Sequence, residues 1–147
     1  MKATYVSANF MKDDKRVFDA YKIMTFGEKK VAFVGISTPE TLVKSTPTYF
    51  QDKYGNYIYD FCNDKTGDKL YKAVQTAVDA AKKDGADYVV AVAHLGDDEA
   101  SAPWTSMDVI KNTKGIDVLM DGHAHNTIVR SVKNKAGKSI KMVATGT

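Results

Sequence analysis

Val118-Leu119-Met120-Asp121-Gly122-His123-Ala124-His125 is the stretch on which the reading of this chain turns. A short apolar run that ends in Gly-His-x-His reads as a buried strand delivering two imidazoles at its carboxyl end. In extended backbone, residues i and i+2 project to the same side, so His123 and His125 are expected to face one pocket. Imidazole is the commonest neutral metal ligand, and a pair so placed suits one metal or two neighbouring ones. The third histidine repeats the arrangement: Tyr88-Val89-Val90-Ala91-Val92-Ala93 is apolar and β-branched, and it runs into His94-Leu95-Gly96. All three are therefore expected just past the ends of interior strands, where open α/β sheets place their sites. A single histidine after a strand is more often a hydrogen-bonded loop residue than a ligand. The joint distribution favours ligation, because the chain holds 3 histidines and none lies elsewhere.

Working outward, the strand expected over residues 116–120 is preceded by Gly115 as a stop signal. Before it comes a helix over residues 104–112, with Ser101 or Ala102 ahead of Pro103 near its start. Residues 69–83 give the strongest helical pattern. Leu70, Val74, Ala77, Val78 and Ala81 form a stripe at helical spacing, Asp68 or Thr66 is placed to cap it, and Gly85 ends it. Because the strand of residues 88–93 follows at once, helix and strand make half of a βαβ unit and the stripe belongs to the core.

Nearer the amino terminus, residues 21–26 and 31–36 read as a hairpin about Gly27-Glu28-Lys29-Lys30, its second strand apolar enough to be buried on both faces. Thr38 is placed to cap a short helix with Pro39 at its first position. Residues 4–8 are β-prone with Asn9 as terminator, and Asp13-Asp14-Lys15-Arg16 reads as a polar turn. Residues 45–64 lack a clear period. Their tyrosines and phenylalanines are read as packing on the domain rather than as a base-stacking surface, with residues 57–61 alternating like a strand. The acids of Leu95-Gly96-Asp97-Asp98-Glu99 are read as solvated. A closing hairpin is expected from residues 127–132 and 139–144 about Asn134-Lys135-Ala136-Gly137. Met1-Lys2-Ala3 runs straight into the first strand and Val143-Ala144-Thr145-Gly146-Thr147 stops in mid-strand, as expected of a piece of something longer.

The 147 residues amount to one domain, 44% hydrophobic and 27% charged, with the composition of an ordinary globular protein rather than a disordered one. A formal charge of +3, carried almost wholly by lysine, gives no reason to expect a nucleic-acid polymer as partner. Cys62 is alone, so there is neither an intrachain disulfide nor a thiolate metal site. No apolar run has membrane-spanning length.

Four stretches together resemble the 5'-nucleotidase and 2',3'-cyclic-nucleotide phosphodiesterase branch of the calcineurin-like metallophosphoesterases. Tyr5-Val6-Ser7-Ala8-Asn9 resembles the strand after that family's Gly-Asn-His motif, and Val34-Gly35-Ile36-Ser37-Thr38-Pro39-Glu40-Thr41 its Gly-x-x-Thr-Pro-Glu-Thr stretch. The stretches through His94-Leu95-Gly96 and Gly122-His123-Ala124-His125 resemble its last two metal blocks. The resemblance implies a mixed α/β sheet with flanking helices, half of a four-layer α/β/β/α sandwich. It implies two divalent ions, zinc, manganese or iron, with His94 and His123 on one and His125 on the other. Such a pair clamps a phosphate and neutralises charge on several oxygens at once. It also implies a nucleotide substrate and a place outside the cell or in its envelope.

The family's first three blocks, which supply an Asp-x-His, a bridging aspartate and the Gly-Asn-His acid, are missing from these residues, as is its nucleoside-holding domain. Residues 1–147 are thus expected to be the rear half of a catalytic domain, inactive alone, since two cations without a bridging anion repel strongly. Two other readings stand beside it. One is a self-standing module with a mononuclear three-histidine metal site. The other is a metal-free α/β unit that self-associates through exposed sheet edges.

Overall fold

The apolar runs around the histidines do become interior strands, and they lie side by side. The computed structural model describes residues 3–146. In chain order the strands are β1 (Met11–Lys12), β2 (Lys15–Arg16), β3 (Tyr21–Phe26), β4 (Lys29–Ser37), β5 (Tyr59–Asp60), β6 (Tyr88–His94), β7 (Val118–Asp121), β8 (Ile128–Lys133) and β9 (Ser139–Ala144). The helices are α1 (Thr41–Lys44), α2 (Asp68–Lys83) and α3 (Ser106–Asn112). Six strands form the main sheet in the order β3-β4-β6-β7-β9-β8, and β2-β1-β5 form a small second one. Strands β4, β6, β7 and β9 run parallel, while β3 and β8 close the two edges antiparallel. The fold is α/β with a mixed sheet, as the apolar runs and the helix between them require.

The crossovers through α2 and α3 move along the sheet in one direction, β4 to β6 to β7. Connections of one hand that advance one way put their helices on one face. On that face Ala32, Val34, Ile36, Val89, Ala91, Leu119 and Met142 pack against the stripe Leu70, Val74, Ala77, Val78 and Ala81 of α2 and Val109 and Ile110 of α3. At roughly 25 cal/mol per Å² of apolar surface removed from water, this layer is the main source of stability. The opposite face has no helix. Across the register, Gly35, Val92, Met120, Val143 and Val129 share one row there, and Val92, Met120 and Val129 are 45%, 49% and 73% exposed. Ser37 and His94 form the next row, at the carboxyl edge.

Several local expectations need correction. Residues 4–8 form no strand: Val6 makes a single bridge to Asp19, and Ala8 N–H donates to the Gly35 carbonyl. Asn9 is not a simple terminator, because its fully buried amide donates to the Ser37 and Phe61 carbonyls and accepts from Ser37 N–H. Strand β4 is not buried on both faces, since Val31 and Phe33 are only half-covered on the side without helices. Helix α1 starts at Thr41 rather than at Pro39, because Thr38 closes a turn in which its hydroxyl and carbonyl accept from Glu40 and Thr41 N–H. Gly67, in left-handed backbone, is the N-cap of α2; Thr66 and Asp64 accept from the first-turn amides in place of a capping side chain. Helix α3 begins at Ser106, where Thr105 and Asp108 form a reciprocal capping box. Met1, Lys2 and Thr147 lie outside the described residues, and the expectations placed on them with them.

Candidate metal centre

His94 is the last residue of β6, and its side chain belongs to the face without helices. His123 follows β7 by two residues, and β6 and β7 are parallel neighbours, so both rings arrive at the same edge of the sheet. There His94 Nε2 and His123 Nδ1 stand 3.2 Å apart, with ring centroids at 4.9 Å. Two imidazole nitrogens bound about 2.1 Å from one ion stand roughly 3.0–3.4 Å apart in octahedral or tetrahedral geometry. The pair therefore fits two adjacent positions on a single ion.

The far nitrogen of His123 fixes which proton it carries. Its Nε2 lies 2.9 Å from Glu40 Oε2, and the same oxygen accepts from Lys44 Nζ at 2.8 Å. Burial by itself would raise the Glu40 carboxyl, but hydrogen bonds from Lys44 and His123, the Lys44 charge and the Ser101 hydroxyl hold it below the ordinary carboxylate range. An ionised carboxylate only accepts, so Nε2 donates the hydrogen bond to Glu40 and Nδ1 is the ring nitrogen turned to His94. This is the carboxylate–histidine arrangement that orients metal-binding imidazoles. Burial, first, and then the facing His123 ring and His125 push the His94 imidazole below its ordinary range against the pull of Asp121. Lowering it favours the neutral ring, the form with a nitrogen lone pair to offer a cation.

The backbone that delivers His123 is not extended. His123 and His125 have φ of 76° and 57°, and Ala124 N–H donates to the Gly122 carbonyl at 3.0 Å, closing a three-residue turn with His123 at its centre. The expectation that i and i+2 face one pocket through strand geometry is therefore wrong. The turn turns His123 back to His94 and leaves His125 exposed. His125 is near enough for its charge to act on His94, yet among the described residues no three His, Cys, Asp or Glu side chains converge as a group able to hold a metal. The site is a two-histidine edge with His125 beside it.

Of the loop acids, Asp97 accepts from Asn126 Nδ2 at 3.0 Å and faces Arg130 at 3.9 Å, with a side chain only 9% exposed. It is structural rather than solvated. Asp98 accepts from Ala100 N–H, and both Asp98 and Glu99 are exposed. A cavity of about 510 Å³ is lined by Glu40 together with Pro39, Leu42, Ile58, Tyr59 and Trp104, and no histidine lines it. Sequence reasoning missed Glu40, which it met only inside the Thr-Pro-Glu-Thr resemblance. Its signal was an acid three residues past the end of an interior parallel strand.

No family model matches the chain, and no curated protein matches it. Solved structures do. Sulfate thiohydrolase SoxB from Thermus thermophilus superposes with a TM-score of 0.71 at 24% identity, over 99% of this chain and 23% of that one. The calcineurin-like phosphoesterase YfkN from Bacillus subtilis gives 0.72 at 19% identity, over 98% and 46%. The NAD nucleotidase of Haemophilus influenzae gives 0.70 at 18%, over 98% and 26%. The chain spans less than half the length of each. In backbone and topology, this chain has the fold of the calcineurin-like phosphoesterases.

Proposed function

We propose that the chain is the rear half of the catalytic domain of a metal-dependent phosphoesterase that hydrolyses nucleotide phosphate esters, of 5'-nucleotidase or 2',3'-cyclic-nucleotide phosphodiesterase type. The observation that carries this is the 3.2 Å approach of His94 Nε2 to His123 Nδ1 at the carboxyl edge of neighbouring parallel strands, with Glu40 on the opposite nitrogen of His123. His94 and His123 would hold one divalent ion, and His125 would turn toward a second once the remaining ligands are present. Bound divalent ions supply Lewis-acid clamping of the phosphate and charge neutralisation on the leaving oxygen. The chain's own part is to present His94 Nε2 and His123 Nδ1 side by side and to hold the proton of His123 Nε2 in a hydrogen bond to Glu40, away from the ion.

Two further observations support the reading. The helix-free sheet face exposes Val92, Met120 and Val129, apolar surface that a second sheet of the same domain would cover. The solved chains of this fold are more than twice as long. Zinc, manganese and iron all suit such donors. Among the described residues no helix is long and apolar enough to cross a membrane. The family resemblance, and not that absence, is the ground on which we propose the cell envelope or the exterior for the whole protein. The self-standing three-histidine module is disfavoured because, among the described residues, no three His, Cys, Asp or Glu side chains form a group able to hold a metal.

The test is hydrolysis of nucleoside 5'-monophosphates and 2',3'-cyclic monophosphates with manganese. The polypeptide extended upstream in its source gene is expected to turn over, and to lose at least about 100-fold on His123→Ala. The 147-residue chain alone is expected to stay at the blank. Turnover by the short chain, lost on His123→Ala, would overturn the half-domain reading; an inactive extended polypeptide would overturn the phosphoesterase.

A further inference from the structure

The two histidine loops are locked to each other by a buried carboxylate that is not itself aimed at the ligand edge. Asp121, the last residue of β7, is 9% exposed. Its Oδ1 accepts from Leu95 N–H at 2.9 Å, Gly96 N–H at 3.3 Å and Gly122 N–H at 2.8 Å, and its Oδ2 accepts from Ser106 Oγ at 2.6 Å. Ser106 opens α3, and its own N–H donates to the Gly96 carbonyl at 2.9 Å. The backbone carrying His94 is thus tied both to β7 and to the start of α3. The loops also interdigitate: a Cβ at Gly96 would meet His123 Cδ2 at 3.2 Å, and one at Gly122 would meet His94 Nδ1 at 3.2 Å. Each histidine ring thus packs against the glycine of the other loop.

We propose that Asp121 is a positioning residue for the metal edge: through the Leu95 and Gly96 amides and the Ser106 hydroxyl it sets the separation of the His94 and His123 rings, without ligating the ion. Three backbone amides and one hydroxyl converge on it, and three of these four donors come from outside its own strand end, two from the loop after β6 and one from the start of α3. A strand end needs no charge for its own stability. Placing one where it grips the neighbouring strand's loop makes sense if that loop must be held in register to within a few tenths of an ångström.

This inference rests in part on the metal-site reading, so its experiment has one arm that does not. In the apo chain, NMR should show a through-space contact between the ring protons of His94 and His123 and strong protection of the Leu95 and Gly96 amides. Asp121→Ala should lose both. Asp121→Asn, which keeps the acceptor for the amides and can donate to Ser106, should retain both. The second arm is cobalt(II) titration read by its visible absorption. Asp121→Ala is expected to weaken binding about 10- to 100-fold and Asp121→Asn less than about threefold. Should Asp121→Ala not fold, Ser106→Ala, which removes only the Oδ2 bond, is expected to weaken binding about three- to tenfold and to broaden the ring contact. A folded Asp121→Ala, or failing that Ser106→Ala, with an unchanged ring contact and amide protection overturns the proposal. If the wild-type chain gives no cobalt spectrum, the metal-site reading fails while the apo arm still decides whether Asp121 holds the rings.

Discussion

His123 occupies a left-handed backbone state that residues other than glycine seldom adopt. With φ of 76° at the centre of a three-residue turn, a non-glycine residue stores on the order of 1–3 kcal/mol. Under the proposed function, the strain is tolerated because it brings the His123 ring to His94. His123→Gly should accordingly be more stable than His123→Ala by about 1 kcal/mol, while both variants lose metal binding. Urea unfolding of the two variants checks this, and equal midpoints would contradict it. Glu40 gives a second test. Its carboxyl is held low because the Lys44 and His123 hydrogen bonds outweigh burial. A depressed carboxylate contributes stability that is complete above its unfolded value, near 4.5, and is lost as pH falls through the lower folded value. The gap between wild type and Glu40→Gln should therefore be constant above about pH 6 and close below it as Glu40 is protonated. A gap that persists at the acid end would contradict the pairing. His94 has the opposite chemistry: a lowered imidazole costs stability as pH falls through its unfolded value near 6.5. The three histidines were legible from their place after apolar runs. Their mutual geometry was not, because a left-handed turn leaves no periodic signature and Gly-His-Ala-His gives no sign of it beyond its glycine.

Among elements, α2 was the most legible. All five residues of its predicted stripe, Leu70, Val74, Ala77, Val78 and Ala81, are buried, because sixteen residues of clean helical period outweigh any local exception. Its start was not legible, since a left-handed Gly67 replaces the expected side-chain cap. The amino-terminal segment misled more. Residues 4–9 look like a strand but act as a strap across the end of β4. A Cβ at Gly35 would run into the Val6 carbonyl, and Asn9 bridges residues 37 and 61. Asn9→Ala would leave the Ser37 N–H and the Ser37 and Phe61 carbonyls unpaired and should cost about 2–4 kcal/mol. Asn9→Asp should be worse, as a carboxylate would face two carbonyl oxygens. Gly35→Ala should detach the strap, seen as loss of amide protection at Ala8 and no loss within α2. Protection unchanged at Ala8 would refute that packing.

At the scale of the whole molecule, the decisive feature is one covered face and one bare one. Parallel order with helical crossovers was legible from the alternation of apolar runs and helix. That both helices take the same side follows from the strand order, which no single stretch reveals. The bare face shows why Val92 and Met120 interrupt no apolar run: the sequence treats them as interior, and the chain leaves them 45% and 49% exposed. Apolar rows left open associate. The isolated chain is expected to self-associate at high concentration, and Met120→Lys with Val129→Lys should return it to monomer in sedimentation. A wild-type chain that stays monomeric throughout would count against a covered face. At the centre stands the claim that His94 and His123 present two nitrogens to one ion. Zinc titration of the chain, followed by proton–nitrogen correlation of the imidazoles, tests it most directly. The expected result is metal on His94 Nε2 and His123 Nδ1, with the proton retained on His123 Nε2 against Glu40. Zinc on His123 Nε2, or no change at either ring, would contradict it.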